Sequence, residues 1–122
     1  QTWLLGKNLV ESVLAQTGAV ATGAPHLIDA RSFEGKFARH PFIDRHSVFV
    51  LGDHVTQETG TGLVHTAPGH GADDYRVGQK YGLPVLAPVD ARGLYTAEFP
   101  AMRGEHIFKA NPKIIALLRE RD

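Results

Sequence analysis

Most of the chemistry this chain can offer falls within sixteen residues, Gly60 to Tyr75. His65, Thr66, His70, Asp73, Asp74 and Tyr75 are interleaved there with glycines at 60, 62, 69 and 71. The glycines permit positive backbone angles and let a ligand come close to the main chain, while Pro68 sets one corner of the loop. Such a loop can line a tight pocket. Asp73 and Asp74 stand where a helix is expected to open, a place that favours carboxylates and turns amide donors outward. A carboxylate in that position can hold an ammonium group.

Three accounts of this stretch compete. In the simplest, Asp73 caps the helix and the glycines make turns, which leaves the density of polar groups unexplained. In the second, His65, His70 and Asp74 bind zinc or iron. The two histidines are five apart across a Pro-Gly loop, however, and match no metalloprotease spacing. A nucleotide-binding loop fares no better, because position 65 is His where the last glycine of a Gly-x-Gly-x-x-Gly run would stand. In the third, the loop is a substrate pocket with Asp73 or Asp74 facing inward. Neighbouring side chains diverge, so the two are equally eligible on physical grounds, with capping favouring the earlier.

The elements that must position this loop are readable on either side. Leu9, Val10, Val13 and Leu14 recur at helical spacing and predict a helix over about 7–17 ended by Gly18. Residues 2–5, 26–30, 47–51, 63–66 and 85–89 are short apolar or β-branched runs expected as strands. Residues 32–46 have no clean period, and Pro41 argues against a central strand. A helix of about two turns is expected from Asp73 to Tyr81, ended by Gly82, then a turn at 90–93. Asn111 before Pro112 predicts the start of a last helix running through Leu117 and Leu118. Together these give one α+β domain on a mixed, partly closed, barrel-like sheet with flanking helices.

Composition sets the outer limits. At 122 residues and 43% apolar content, one domain is the expectation. Thirteen basic and thirteen acidic side chains cancel, so any contact with RNA must be local. Lys36, Phe37, Arg39, His40 and Arg45 can supply one by phosphate pairing and stacking, or simply form a solvated loop. The absence of cysteine excludes disulfides and thiolate metal sites and suits a cytoplasmic setting. No apolar run approaches a membrane span.

The run from Gly60 to Tyr75, continued by Val77, Gly78, Gln79, Lys80, Tyr81, Gly82, Leu83, Pro84 and Val85, closely resembles the editing-domain signature of isoleucyl-tRNA synthetases. The resemblance extends through Pro88, Val89, Asp90 and Gly93, to the Asn111-containing helix, and back to His40-Pro41-Phe42 and Leu51 to Val55. The valyl and leucyl relatives resemble a Thr-Pro-Ala-His or Val-Pro-Ala-His run where this chain has His65 to Gly71. The resemblance implies hydrolysis of tRNA(Ile) wrongly charged with valine. It matches Asp74 to the acid that grips the substrate's α-amino group, and His65 to a wall of the side-chain pocket. Gly62, Leu63, Thr66, Ala67, Pro68, Gly69 and His70 would line the pocket, with Asp73 beside them. His46 and His54 are expected to be loop or surface histidines.

The family's threonine-rich segment, which supplies the opposite wall, has no counterpart here. The chain is therefore expected to be the C-terminal portion of an editing domain, weak or inactive alone, with exposed strand edges open to self-association. No metal or cofactor is expected for editing; ATP would serve a separate synthetic domain, whose signature motifs are absent. Implied partners are the acceptor end of valyl-tRNA(Ile) and the rest of a synthetase chain, with no membrane. A free-standing trans-editing hydrolase and a non-catalytic module binding aminoacylated RNA ends remain as other expectations.

Overall fold

A computed structural model of the chain describes residues 1–121. Asp122, the last residue of the expected domain, lies outside them. The first helix, α1 (Val10–Thr17), follows a 3-10 turn at Lys7–Leu9 and stops at Gly18, whose φ of 69° reverses the chain. Local signals suffice there, since the apolar spacing and the terminating glycine agree. Helix α2 (Ala72–Tyr81) likewise ends at Gly82, with φ 64°. Its order of charge, Asp73 and Asp74 first and Lys80 last, complements the helix dipole.

Strands are fewer than the sequence suggests. Regular pairing among the described residues is one antiparallel hairpin, β1 (Phe37–Arg39) against β2 (His46–Val48), with Phe37 opposite Val48 and Arg39 opposite His46. Residues 37–39 fall in the stretch expected to be irregular. Pro41 lies in the connecting turn, where it interrupts no ladder. The expected strands at 2–5, 26–30 and 63–66 form no ladder among the described residues, and Ala30 instead opens a 3-10 turn, Ala30–Phe33. The run 85–89 contributes one bridge, Val89 to Tyr95. A strand needs a neighbour for its backbone groups, and β-branched composition cannot say whether one is present. The chain is thus α+β with a two-stranded sheet, and the barrel-like closure expected from the sequence is not formed among the described residues.

The last helix also departs from expectation. Helix α3 (Ile107–Arg119) starts four residues before Asn111, with His106 as N-cap and Pro112 inside it. Tertiary anchoring overrides the Asn-Pro start signal. Ile107 N–H donates to Gly93 O at 3.0 Å, Leu94 bridges His106, and Ala110 is fully buried. The turn at 90–93 that receives α3 forms as the sequence predicts, with Gly93 N–H donating to Asp90 O and Asp90 Oδ1 accepting from Arg92 and Leu94 N–H.

Among the described residues, Leu9, Met102 and Ala110 are the buried apolar ones. Aromatic contacts supplement them: Phe33 on Phe49 at 5.5 Å, and Phe99 between Phe42 at 6.0 Å and Tyr95 at 5.3 Å. Tyr81 of α2 reaches back to the hairpin side, accepting from Leu51 N–H and donating to Glu34. No helix among the described residues is long and apolar enough to cross a membrane.

Candidate functional site

The glycine-rich loop is held from beneath by its own helix. Asp74, in the first turn of α2, turns back and accepts the Ala67 N–H on Oδ2 at 3.0 Å. His70 N–H donates to Ala67 O at 2.9 Å, closing the Pro68-Gly69 corner. A carboxylate accepting a backbone N–H is a strong, charge-assisted bond worth roughly 1.5–3 kcal/mol. Asp74 therefore staples the loop to the helix that follows it.

Close backbone approaches explain two of the glycines. A Cβ on Gly69 would sit 2.2 Å from Leu86 O, so residue 69 touches the 85–89 segment main chain to main chain. A Cβ on Gly78 would meet the Pro68 ring at 2.8 Å, so α2 packs directly under the loop corner. At the loop's other end, Gly6 N–H donates to Thr61 O at 2.7 Å and joins the N-terminal segment to it.

The loop faces a cleft of about 970 Å³. Of the residues expected to bind substrate, Gly62, Leu63, His65, Thr66, Ala67, Pro68 and His70 line it. The hairpin residues Ala38, Ser47 and Val48 face them, and Phe99 and Ile107 contribute apolar surface. Arg45, His46 and Glu98 supply charge and polarity at the same wall. His46, expected as a loop or surface histidine, is exposed at the start of β2 and lines the cleft. His40 stands close by: its Nδ1 accepts from Ile43 N–H at 3.1 Å, and burial pushes its pKa below the usual histidine range, with Arg45 and His65 adding to the effect.

Gly69, Asp73 and Asp74 are not among the cleft-lining residues. Gly69 is turned against Leu86. Asp73 points to solvent, paired with Arg76 at 2.6 Å, and caps nothing; the N-cap is Gly71 without a side-chain bond. Asp74 lies behind the loop with a side chain 22% exposed. The two neighbouring carboxylates thus differ in their surroundings: Asp74 is engaged with the loop, Asp73 with Arg76 at the surface. His65, His70 and Asp74 do not converge as a metal-binding group among the described residues.

His54, expected as a loop or surface histidine, does lie in a turn. The turn from Gly52 to Val55 brings its ring toward α2, where Nε2 lies 3.9 Å from Asp74 Oδ1. That nitrogen is buried and has no hydrogen-bond partner among the described residues. Nothing in its local sequence signals this; the neighbour lies twenty positions away.

No family model matches the chain. Whole proteins do. It is 52% identical over 118 residues to the isoleucine–tRNA ligase of Psychrobacter arcticus, 48% over 117 residues to that of Desulfitobacterium hafniense, and 46% over 119 residues to that of Enterococcus faecalis. The chain is homologous to a segment of isoleucine–tRNA ligases. Each match covers 96–98% of the chain and 12–13% of the relative, so the chain spans about one eighth of the length of the curated ligases it matches.

Proposed function

We propose that this chain forms one wall of the editing pocket of an isoleucine–tRNA ligase, where tRNA(Ile) wrongly charged with valine is hydrolysed. The observation that carries this is the Asp74 staple: Oδ2 holds the loop through Ala67 N–H, and Oδ1 is left without a hydrogen bond. That second oxygen, behind the loop whose residues Gly62 to Pro68 line the cleft, is the group on which the valyl α-ammonium would be gripped. The pocket exists because of a limit known for the isoleucine enzyme itself, where one missing methylene changes discrimination by only ~1–3 kcal/mol. A second site that accepts valine and excludes isoleucine supplies the remaining selectivity.

Water attacks the ester carbonyl, the bond to the ribose oxygen breaks, and valine and free tRNA leave. Loop amides between Gly62 and His70 would stabilise the developing oxyanion and hold the terminal adenosine, with His65 walling the side chain. Asp73 is assigned no grip, since it is spent on Arg76. No metal or cofactor takes part in this reaction; ATP would be used in a separate synthetic domain. The rest of the synthetase would cover the apolar faces that this segment exposes.

The test is deacylation of valyl-tRNA(Ile) by the full gene product that carries the segment, with Asp74→Asn beside the unaltered protein. Asparagine can still accept from Ala67 N–H but lacks the charge that binds ammonium. Editing kcat/KM should fall roughly 10- to 100-fold, the range for losing a hydrogen bond to a charged group, while aminoacylation with isoleucine is unchanged. Undiminished deacylation would remove Asp74 from the reaction. Retained binding of charged tRNA with no turnover, in the unaltered protein, would favour a binding module instead.

A further inference from the structure

His54 shares the space behind the loop with Asp74 and has no other task in the structure. Its Nε2 is buried, lacks a hydrogen-bond partner, and lies 3.9 Å from Asp74 Oδ1. Buried polar nitrogens in native proteins are nearly always bonded, so an unbonded one calls for an explanation. The ring's seat is made for it. A Cβ on Gly52 would stand 2.7 Å from His54 Cε1 and 2.9 Å from Nδ1, so a side chain at residue 52 would displace the imidazole. Val55 N–H donates to Gly52 O at 3.1 Å and fixes the turn that delivers the ring.

We propose that His54 is a positioning residue for Asp74, orienting the carboxylate so that it can receive the substrate's ammonium group. The proposal rests on the editing reading of the site. Asp74 then has two fixed points, Ala67 N–H on Oδ2 and His54 Nε2–H on Oδ1, and the plane of the carboxylate follows from them. A closing movement of about 1 Å brings the Nε2 to Oδ1 separation into hydrogen-bond range. Such contacts are often long before substrate arrives and tighten in the complex. An ammonium reaching Oδ1 takes the second lone pair of the same oxygen, so histidine and substrate do not exclude each other.

Valyl-tRNA(Ile) deacylation by the full gene product decides the matter, using His54→Ala, His54→Gln, Asp74→Asn and the double variant His54→Ala/Asp74→Asn. Loss of His54 should lower kcat/KM about tenfold, the effect of one ordinary hydrogen bond, with most of the change in KM. His54→Gln, whose amide nitrogen can stand where the imidazole Nε2 does, should recover most of that loss. The double variant should be no slower than Asp74→Asn, because His54 acts only through Asp74. Full activity in His54→Ala, no recovery in His54→Gln, or multiplicative losses in the double variant would each overturn the positioning role while leaving the editing reading in place. Full activity in Asp74→Asn would overturn both.

Discussion

At the scale of single residues, the loop depends on atoms that are missing as much as on those present. Gly69 is the sharpest case, because a methyl group there would collide with Leu86 main chain at 2.2 Å, and main chain cannot rotate out of the way. Gly69→Ala should therefore destabilise the fold by roughly 1–3 kcal/mol, as overpacking does. Its effect should spread to Ala67 and His70, whose backbone bonds close the same corner. Chemical denaturation of Gly69→Ala against the unaltered protein measures the first. Amide chemical shifts at Ala67 and His70 report the second. An unchanged midpoint would mean that the 85–89 segment can retreat from the loop. Residue types alone made Gly69 a turn residue; only its position against Leu86 makes it a contact.

At the scale of elements, the β1–β2 hairpin forms part of one wall of the cleft, and its turn carries a titrating latch. His40 Nδ1 accepts two backbone N–H groups, from Phe42 at 3.4 Å and Ile43 at 3.1 Å, which requires that nitrogen to be unprotonated. Burial, Arg45 and His65 lower its pKa in the folded chain. The unfolded chain therefore binds the proton first as pH falls, so the stabilisation is complete above the unfolded histidine value of about 6.5 and is lost progressively below it. Melting temperature should decline from pH 7 toward pH 5, and His40→Asn should show a smaller decline. Equal slopes for the two would place the titration elsewhere. Helix α3 gives the complementary lesson about elements: Asn111-Pro112 is a sound local start signal, but burial of Ala110 and the bond from Ile107 to Gly93 extend the helix past it.

At the scale of the whole molecule, the chain is far more open than its mass predicts. It exposes 9551 Å², whereas a closed monomer of 13.3 kDa would expose about 6,500 Å². Trp3, Leu27, Phe37, Val64, Val85 and Phe108 are among the large apolar side chains left at the surface. A two-stranded sheet is marginal without cover, and apolar area on this scale marks surfaces that other structure occupies. The 122-residue chain studied by itself should bind a hydrophobic dye strongly and show concentration-dependent sedimentation. Both signals should vanish in the full gene product. A dye-silent, monomeric 122-residue chain would show that these faces close on one another in solution.

Several features were determined by local sequence because their causes are local. Helices α1 and α2 end at glycines whose positive φ no other residue adopts as cheaply, and the turn at 90–93 follows from Asp90 capping its own backbone. The isoleucyl-tRNA synthetase family was legible in the Gly60 to Tyr75 run and the residues after it, in agreement with isoleucine–tRNA ligases 46–52% identical to the chain. Tertiary structure alone decided which extended runs find a strand partner, where α3 begins, and which aspartate holds the loop. It also placed His54 beside Asp74 across twenty residues. Pairing, burial and the direction of a side chain depend on neighbours distant along the chain, and no local pattern of residues records who those neighbours are.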